Sequence, residues 1–461
     1  MSPTERPTDA ACQRHTEHLF HPLSAEAEKA LAALPVALRR ALGLRPGMER
    51  ELPNQIRNLS LSLTADREGG PRPGYLSDPR GLAAYAWYFL PWNLMRLCRL
   101  LPGIDLDIPD DGLVCDLGSG PLTLPLALWL SRPDWRGKRL RFVCADRSRR
   151  ALDLGMQLFA AVAGFDPAAP DAPWRIRCVR GEYWQGLTEG AHLIAMVNVA
   201  NEMIGLGREP LAERMERLAG QLADHIAPDG RLLIVEPGTR LGWRCLEGMR
   251  RAFVEMGMGL LAPCPHAKAC PLTTGRVRAW CHCIVSPQGA PGWLTTLSER
   301  AGLAKERLSL SFLLVRAGQV PETGTVARVI SGPFSVSDVR GSAVYACSKK
   351  GLLVLVAPTG QQPRSGDLVP VTVPDDAPID AKSGAPRVAL APLAQARPTV
   401  DAKPEPAHRP SGGEPAKRSP SPAVRRRGTP APGRPAARKR PSAPTRRKPG
   451  PPSGRGGSQA S

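Results

Sequence analysis

The stretch Val114-Cys115-Asp116-Leu117-Gly118-Ser119-Gly120-Pro121-Leu122-Thr123 decides how this chain folds. A short apolar run, typical of a strand, ends at Asp116, and two glycines follow in a turn that leads into a second apolar segment. Glycine at 118 and 120 lets the backbone approach a ligand closely, because a Cβ at these positions would obstruct it. The stretch therefore predicts a nucleotide-binding α/β domain.

Asp146 supports this interpretation from the next strand. It lies thirty residues after Asp116, at the end of the apolar run 140–146, where a carboxylate can accept hydrogen bonds from both hydroxyls of an adenosine ribose. No third glycine follows Gly120, since Leu122 stands there. The pattern favours S-adenosyl-L-methionine over a dinucleotide. A lone glycine-rich turn is weak evidence, so a Rossmann-type domain with another ligand, or with none, stays the alternative.

The segments that follow predict a doubly wound sheet. Continuous apolar runs rather than alternating ones are typical of buried parallel strands, and helical spacing separates them. These runs cover 113–116, 140–146, 193–197 and 231–236. The predicted fold class is α/β, a Rossmann-like class I methyltransferase fold over 111–320, with Asp116, Gly118, Gly120 and Asp146 as the cofactor-binding residues.

Residues 1–110 are expected to form a helical N-terminal region. Apolar and charged residues alternate there at helical spacing, and Ser24 is suited to cap the first turn of a helix. The segment 85–92 concentrates aromatic residues in a chain with only 5% of them. We interpret it as a helix packed on the next domain rather than as an RNA-stacking surface.

Asn198 and Glu202 are the candidate catalytic residues. They follow the fourth predicted strand, where methyltransferases often hold catalytic or substrate-contacting side chains. The Asn-Pro-Pro-Tyr-like signature of amino-group methyltransferases is missing, and no cysteine stands where a pyrimidine C5 nucleophile is expected. Both residues are equally suited to cap a helix or to line the cofactor pocket, so methyl transfer stays a hypothesis.

A cysteine cluster lies in the predicted loop 262–284. Cys264, Cys270 and Cys281 fall within 18 residues, each beside a proline or histidine, and Cys347 lies well downstream. Together they would join two domains around a metal or cluster. Zinc sites usually contain a Cys-x2-4-Cys pair, whereas Cys281 and Cys283 have one residue between them. On spacing alone, zinc and an iron-sulfur cluster are equally open interpretations. His266 and His282 are candidate ligands of a mixed cysteine and histidine zinc site.

The remaining cysteines read as buried, unrelated side chains, because they occur singly and several stand in apolar strands or helices. They are Cys12, Cys98, Cys115, Cys144, Cys178 and Cys245.

Beyond the α/β domain the composition changes twice. Residues 321–360 predict a small β module around Cys347, and 361–461 predict a disordered tail rich in proline and basic residues. The segment 401–461 holds 15 Lys/Arg against 3 Asp/Glu, so it carries +12 of the net charge of +20. Its predicted role is a sequence-independent tether to RNA phosphates, and a solubilising extension is the alternative.

The start of the chain predicts a bacterial cytoplasmic protein. The first six residues lack the basic-then-apolar layout of a secretory signal, and Glu5, Asp9 and Glu17 argue against a mitochondrial presequence, so the mitochondrial matrix is the less favoured location. No apolar run approaches the roughly 20 residues of a membrane span. Eleven scattered cysteines fit a reducing compartment.

Several motifs together resemble the methyltransferase-like protein family of the mitochondrial small ribosomal subunit and its bacterial relatives. The resemblance spans about 75–357, and its specific part is the cysteine motifs. The matching stretches are 116–121, Val235-Glu236-Pro237-Gly238-Thr239, Ala262-Pro263-Cys264-Pro265-His266, Cys270-Pro271-Leu272 and Trp280-Cys281-His282.

The resemblance implies a 4Fe-4S cluster held by Cys264, Cys270, Cys281 and Cys347. Cys283 stands where the family usually has an aromatic or other apolar residue, which makes it the alternative fourth ligand. Leu122 replaces the more usual glycine of the cofactor turn and is expected to reshape or weaken S-adenosyl-L-methionine binding. The implied partner is the small-subunit rRNA or the ribosomal particle.

Three functions follow from these patterns. The leading one is an iron-sulfur-containing, methyltransferase-like factor in assembly or translation by the small ribosomal subunit. The second is an active S-adenosyl-L-methionine-dependent rRNA methyltransferase. The third is a zinc-stapled RNA-binding protein without catalysis.

Overall fold

The N-terminal part of the molecule is helical, as the sequence predicts. The computed structural model describes residues 17–65, 74–203, 209–273, 279–320, 325–336, 341–358 and 361–390. Ser24 caps the first helix, because its Oγ accepts a hydrogen bond from the backbone N–H of Ala27 at 3.1 Å. The helices are α1 (Ala25–Leu42), α2 (Pro46–Ala65), α3 (Pro79–Ala84) and α4 (Leu90–Leu100), with a π-helical turn at Tyr85–Phe89 between the last two.

A large mixed sheet forms the centre of the fold. Its strands are β1 (Gly112–Leu117), β2 (Leu140–Asp146), β3 (Trp174–Arg180), β4 (Ala191–Val197), β5 (Ile226–Pro237), β6 (Gly259–Ala262), β7 (Cys283–Val285) and β8 (Leu308–Arg316). The strand order is β3-β2-β1-β4-β5-β8-β6, and β7 also pairs with β8. The first five strands are parallel, and β8 runs antiparallel to each of its neighbours. This order, with an antiparallel strand beside β5, is that of the class I methyltransferase fold.

Apolar helices cover both faces of this sheet. The helices are α5 (Thr123–Ser131), α6 (Arg149–Ala163), α7 (Leu211–Ala223), α8 (Arg240–Glu255) and α9 (Gly292–Arg300). One buried cluster packs α1 to α6 and α9 against one face, and a second packs α7 and α8 against the other. All six residues of β1 are buried, as the continuous apolar run predicts. The predicted fold class is confirmed.

A smaller sheet follows the central one. Its strands are β9 (Val326–Val329), β10 (Phe334–Ser335), β11 (Ser342–Ser348), β12 (Gly351–Ala357), β13 (Leu368–Pro370) and β14 (Arg387–Ala389). The order is β13-β9-β11-β12-β14, and β10 pairs with β11. We call residues 325–390 the β module.

The β module extends beyond the boundary that the sequence predicts. The disordered tail was expected to begin at 361, whereas β13 pairs with β9 and β14 pairs with β12. These strands have three residues each and lie in proline-rich sequence, so neither shows a run long enough to be recognised. Residues 391–461, which include most of the predicted tail, lie outside the described residues.

Across the described part of the chain, no helix combines the length and the apolar character needed to cross a membrane.

Candidate cofactor cavity and cysteine pocket

The glycine turn after β1 adopts a conformation that requires glycine. Gly118 and Gly120 have φ of 73° and 52°. A Cβ on Gly118 would stand 2.4 Å from the Val199 side chain. The backbone N–H of Gly118 and that of Ser119 donate to the Ala145 carbonyl at 2.8 and 3.0 Å, which ties the turn to β2. The turn therefore lies at the carboxyl ends of the parallel strands, where ligands bind in open α/β sheets.

Asp146, at the end of β2, contacts the glycine turn through its carboxylate. Its carboxylate accepts hydrogen bonds from the backbone N–H of Gly120 at 2.9 Å and from that of Ser148 at 2.8 Å. Burial raises the pKa of Asp146 above its ordinary value. The carboxylate lines a cavity of about 440 Å³ together with both glycines, and we call this the cofactor cavity.

Asp116 and Leu122 lie outside the lining of the cofactor cavity. Asp116 is 1% exposed, and burial raises its pKa to about 7. Leu122 has φ of 54° and is fully buried, and its side chain packs beside Gly155 of α6. The structure therefore brings three of the four predicted cofactor residues to the cavity wall, with Asp116 buried beneath them and Leu122 directed into the core.

Asn198 and Glu202 both line the cofactor cavity, as expected for residues that follow the fourth strand. Asn198 takes φ of 60°, and its N–H donates to the Val235 carbonyl at 2.7 Å. Glu202 Oε1 accepts a hydrogen bond from the Tyr75 hydroxyl at 2.8 Å. Burial raises the pKa of Glu202 to about 7, so the carboxyl can hold or release a proton near neutral pH.

Sequence reasoning missed the role of Glu236, which orders the segment after β4. Its carboxylate accepts the backbone N–H groups of Val199 at 3.1 Å, Ala200 at 2.8 Å and Asn201 at 3.3 Å. The side chain is fully buried, and burial raises its pKa to about 8 although the three N–H donors oppose this. The sequence places Glu236 at the end of a predicted strand and in a motif of the resembling family, but its three donors follow β4 and are about 35 residues away in sequence.

The four predicted cluster ligands meet at one pocket, which we call the cysteine pocket. Cys264 and Cys270 come from the loop after β6, Cys281 precedes β7, and Cys347 comes from β11 of the β module. Apolar side chains supply much of the remaining wall, among them Trp243, Leu246, Leu272, Phe312, Leu313 and Ile330.

Cys283 does not line the cysteine pocket. Its side chain is 1% exposed and belongs to the main core cluster under the large sheet. Cys283 is the first residue of β7 and Cys281 precedes the strand, and of the two only Cys281 lines the pocket.

Arg250 and His266 are polar neighbours of the cysteines in the pocket. Arg250 of α8 points its Nε at Cys264 Sγ at 3.3 Å, and its Nη2 donates to the carbonyls of His266 and Lys268 at 2.9 and 2.6 Å. His266 Nε2 lies 3.3 Å from Cys347 Sγ. Burial and the neighbouring Cys264 raise the pKa of Cys270 to about 11, so holding the four side chains as thiolates would require a compensating positive charge such as a metal centre.

The two histidines of the cluster differ in their placement. His266 is 6% exposed and contacts a pocket cysteine, whereas the His282 ring stacks on Trp280 at 5.1 Å between centroids. Among the described residues, no three His, Cys, Asp or Glu side chains converge closely enough to hold a single metal ion. Ligands of a cubane cluster each bind a different iron atom, so they surround a space rather than converge on a point. Four cysteines around one pocket are the kind of arrangement that can hold a cluster.

The other described cysteines stand apart from the cysteine pocket. Cys98, Cys115, Cys144 and Cys245 are buried in the apolar core, and Cys178 is half-buried against it. Cys12 lies outside the described residues.

Comparison with known proteins gives one family match. Residues 80–359, more than half of the chain, match the family model described as mitochondrial small ribosomal subunit Rsm22. No curated protein matches the chain.

Among solved structures, several methyltransferases align with part of the chain. A methyltransferase from Pyrococcus furiosus is 12% identical, with 46% of this chain and 78% of that chain covered and a TM-score of 0.27. An S-adenosyl-L-homocysteine complex of a methyltransferase from Thiobacillus denitrificans is 14% identical, with 46% and 86% covered and a TM-score of 0.27. TYW2 from P. horikoshii, solved with MeSAdo, is 10% identical, with 49% and 61% covered and a TM-score of 0.26.

Proposed function

Because the chain belongs to the Rsm22 family of the mitochondrial small ribosomal subunit, we propose that it acts on the small ribosomal subunit as an iron-sulfur-containing, methyltransferase-like factor that contacts the subunit rRNA. The observation that carries the proposal is the meeting of Cys264, Cys270, Cys281 and Cys347 at one apolar pocket. We further propose that the factor works in assembly of the subunit or in translation, in the cytoplasm of a bacterium.

In this proposal a 4Fe-4S cluster is bound by those four cysteines and fastens the β module to the loop between β6 and β7. Arg250 contributes positive charge beside Cys264, and its bonds to two loop carbonyls hold the loop in place. The apolar side chains of the wall limit the access of water to the cysteines, which would help to protect a cluster from hydrolysis and oxidation. The role is structural, and sensitivity to oxidation follows from the chemistry of the cluster.

The decisive experiment is metal analysis of protein purified without oxygen. We expect about four iron and four sulfide per chain and a broad absorption band in the visible region. Cys264→Ser and Cys347→Ser should lose the iron, whereas Cys283→Ser serves as the matched control and should keep it. One zinc per chain and no colour would replace this proposal with the zinc-stapled RNA-binding protein. Iron loss in Cys264→Ser and Cys283→Ser, with iron kept in Cys347→Ser, would make Cys283 the fourth ligand.

Binding to the ribosomal particle needs a separate measurement. We expect the purified protein to sediment with small ribosomal subunits and to protect specific rRNA nucleotides from chemical modification. If it sediments equally well with large subunits, or protects no nucleotide, the ribosomal part of the proposal is wrong whatever the metal content.

A second candidate function is S-adenosyl-L-methionine-dependent methylation of rRNA. The observation that favours it is the cofactor cavity, where Asp146 stands beside Gly118 and Gly120, and Asn198 and Glu202 form another part of the wall. Asp146 would accept the ribose hydroxyls, and the glycines would let the backbone approach the cofactor. Bound S-adenosyl-L-methionine would supply an activated methyl group. Calorimetric titration with the cofactor and transfer of labelled methyl to small-subunit rRNA test this function, and absence of both would reject it.

A further inference from the structure

A second cavity adjoins the cofactor cavity. It has a volume of about 310 Å³ and lies between the N-terminal helices and the ends of β4 and β5. Both cavities are lined by the same five residues, Tyr75, Tyr85, Val197, Asn198 and Glu202. We call the second one the aromatic cavity. A molecule within it would therefore lie next to any ligand of the cofactor cavity.

Aromatic side chains from the π-helical turn and α4 form one wall of the aromatic cavity. Tyr85 and Phe89 stack on each other at 5.7 Å between ring centroids, and Phe89 meets Tyr88 edge to face at 5.0 Å. Trp92 follows on the same wall. Part of the aromatic segment packs on the domain as the sequence predicts, because Trp87 and Tyr88 are almost fully buried. The same segment nevertheless presents ring surface to an internal cavity, which suits a flat ligand.

Two basic side chains also line the aromatic cavity. Arg96 donates from Nε to the Ser309 carbonyl at 3.1 Å and from Nη1 to Asn93 Oδ1 at 2.9 Å. Lys305 Nζ lies 5.6 Å from the centroid of the Tyr88 ring. Within the described part of the chain, neither residue forms an ion pair with a carboxylate. Burial lowers the pKa of Lys305, and the nearby charge of Arg96 lowers it further, so an anion between them would relieve the repulsion.

Another part of the wall carries polar groups that are placed to hydrogen-bond with the edge of a flat ring. The Asn201 side-chain oxygen is buried and, among the described residues, has no hydrogen-bond donor. A buried acceptor without a donor is costly, and a ligand N–H group would satisfy it. Glu202 stands on the same wall and exchanges a proton near neutral pH.

We propose that the aromatic cavity binds a single nucleotide. The base would lie against the rings of Tyr85 and Phe89, with its N–H groups directed to Asn201 and Glu202, and the phosphate would be held by Arg96 and Lys305. These three features match the three parts of a nucleotide. The aromatic rings suit the face of the base, Asn201 and Glu202 suit its N–H groups, and Arg96 and Lys305 suit the phosphate.

Titration of the four ribonucleoside 5′-monophosphates and their parent nucleosides tests this proposal. We expect each monophosphate that binds to do so about ten-fold more tightly than its nucleoside, because the phosphate gains charge-assisted hydrogen bonds. Lys305→Met should remove most of that difference and leave nucleoside affinity unchanged. Lys29→Met is the matched control, because Lys29 is exposed on α1, and it should behave as the unaltered chain.

Three results would overturn the proposal. The first is equal affinity for monophosphate and nucleoside in the unaltered chain. The second is an unchanged monophosphate affinity in Lys305→Met. The third is complete displacement of the monophosphate by S-adenosyl-L-homocysteine together with indifference to Lys305→Met, since this would place the nucleotide in the cofactor cavity. Among the described residues Lys305 makes no hydrogen bond, so Lys305→Met breaks none, and a thermal melt equal to that of the control excludes misfolding.

A single-stranded RNA trinucleotide distinguishes the source of the nucleotide. Tight binding of the trinucleotide, in competition with the monophosphate, identifies a nucleotide extruded from RNA. Binding of the monophosphate alone identifies a free nucleotide. This inference depends on the proposed function in one respect only, which is that the RNA is taken to be small-subunit rRNA. Iron analysis of Lys305→Met, expected to be unchanged, separates failure of the nucleotide site from failure of the cluster proposal.

Discussion

Gly118 is the residue at which the glycine turn tolerates least change. Its φ of 73° lies in the left-handed region, and a Cβ there would also approach Val199. The cost of a side chain therefore has two parts, one from the backbone and one from the contact. Gly164, the C-cap of α6, has φ of 83° and nothing within 4 Å of a Cβ, so it isolates the backbone part.

We expect Gly118→Ala to destabilise the fold more than Gly164→Ala does. Both variants lose about 1–2 kcal/mol from left-handed backbone strain, and Gly118→Ala loses about 1–3 kcal/mol more from overpacking against Val199. Urea denaturation of the two variants measures the difference. Equal losses would show that Val199 moves aside freely.

The residues that order the site differ in whether their roles can be predicted from the sequence. Gly118, Gly120 and Asp146 were identified because their roles depend on local backbone and on the ends of adjacent strands. Glu236 and Arg250 were missed as functional residues because their partners are set by tertiary packing: Glu236 reaches the turn after β4, and Arg250 reaches a loop beyond the end of its own helix. Neither spacing nor composition carries that information.

Glu236 makes stability depend on pH in a direction opposite to that of ordinary salt-bridged carboxylates. Burial raises its pKa to about 8, whereas an unfolded glutamate has a pKa of about 4.3. Between these values the folded protein holds a proton that the unfolded chain has released. Stability is therefore expected to fall as pH rises from about 5 to 8, by at most about 1.4 kcal/mol per pH unit from this residue.

Chemical denaturation at a series of pH values, with Glu236→Gln alongside, tests this. The variant cannot ionise and should show a shallower fall over the same range. A parallel pH dependence in both proteins would assign the effect to other groups, such as Glu202, whose pKa is also raised.

At the scale of elements, β9 connects the β module to the cysteine loop. Arg328 of β9 is 2% exposed and donates from Nε to the Pro263 carbonyl at 3.1 Å and from Nη1 to the Gly366 carbonyl at 2.8 Å. Pro263 immediately precedes Cys264, so the same arginine positions a predicted ligand. β9 lies within the β module that the sequence predicts over 321–360, but β13, which begins two residues after Gly366, is too short to be recognised.

We expect Arg328→Met to cost about 2–4 kcal/mol of unfolding free energy, because two buried carbonyls lose a charged donor. Arg175→Met is the matched control, since Arg175 is exposed on β3 and its loss should change stability by less than about 0.5 kcal/mol. Limited proteolysis should also cut Arg328→Met faster in the β module than in the central sheet. Uniform cleavage would indicate that the two sheets unfold together.

At the scale of the whole molecule, charge is concentrated at one end of the chain. Residues 401–461 carry +12, which leaves +8 on the first 400 residues. The family match ends at 359 and the described residues end at 390, so the basic segment lies beyond both. Its role was predicted from composition, which indicates an affinity for polyanions but no specific contact.

A variant that ends at Leu390 is expected to keep the melting temperature of the full chain and to bind RNA less tightly at low salt. Its plot of log affinity against log salt concentration should be shallower, because fewer phosphates are neutralised. A full-length control with glutamine at the nine basic positions of 425–427, 438–440 and 446–448 should give a slope between those of the full chain and the shortened variant. An unchanged slope in both variants would make the segment a solubilising extension.

The position of β8 in the chain determines when the large sheet can form during synthesis. Both β6 and β7 pair with β8, which follows them in sequence, and β8 alone joins them to β5. During translation these two strands, and the cysteines between them, leave the ribosome before the strand that will hold them exists. The nascent chain must therefore emerge past Arg316 before that half of the sheet closes, and past Cys347 before the last cysteine arrives. In the proposal above, the full set of four ligands therefore exists only after Cys347 has left the ribosome.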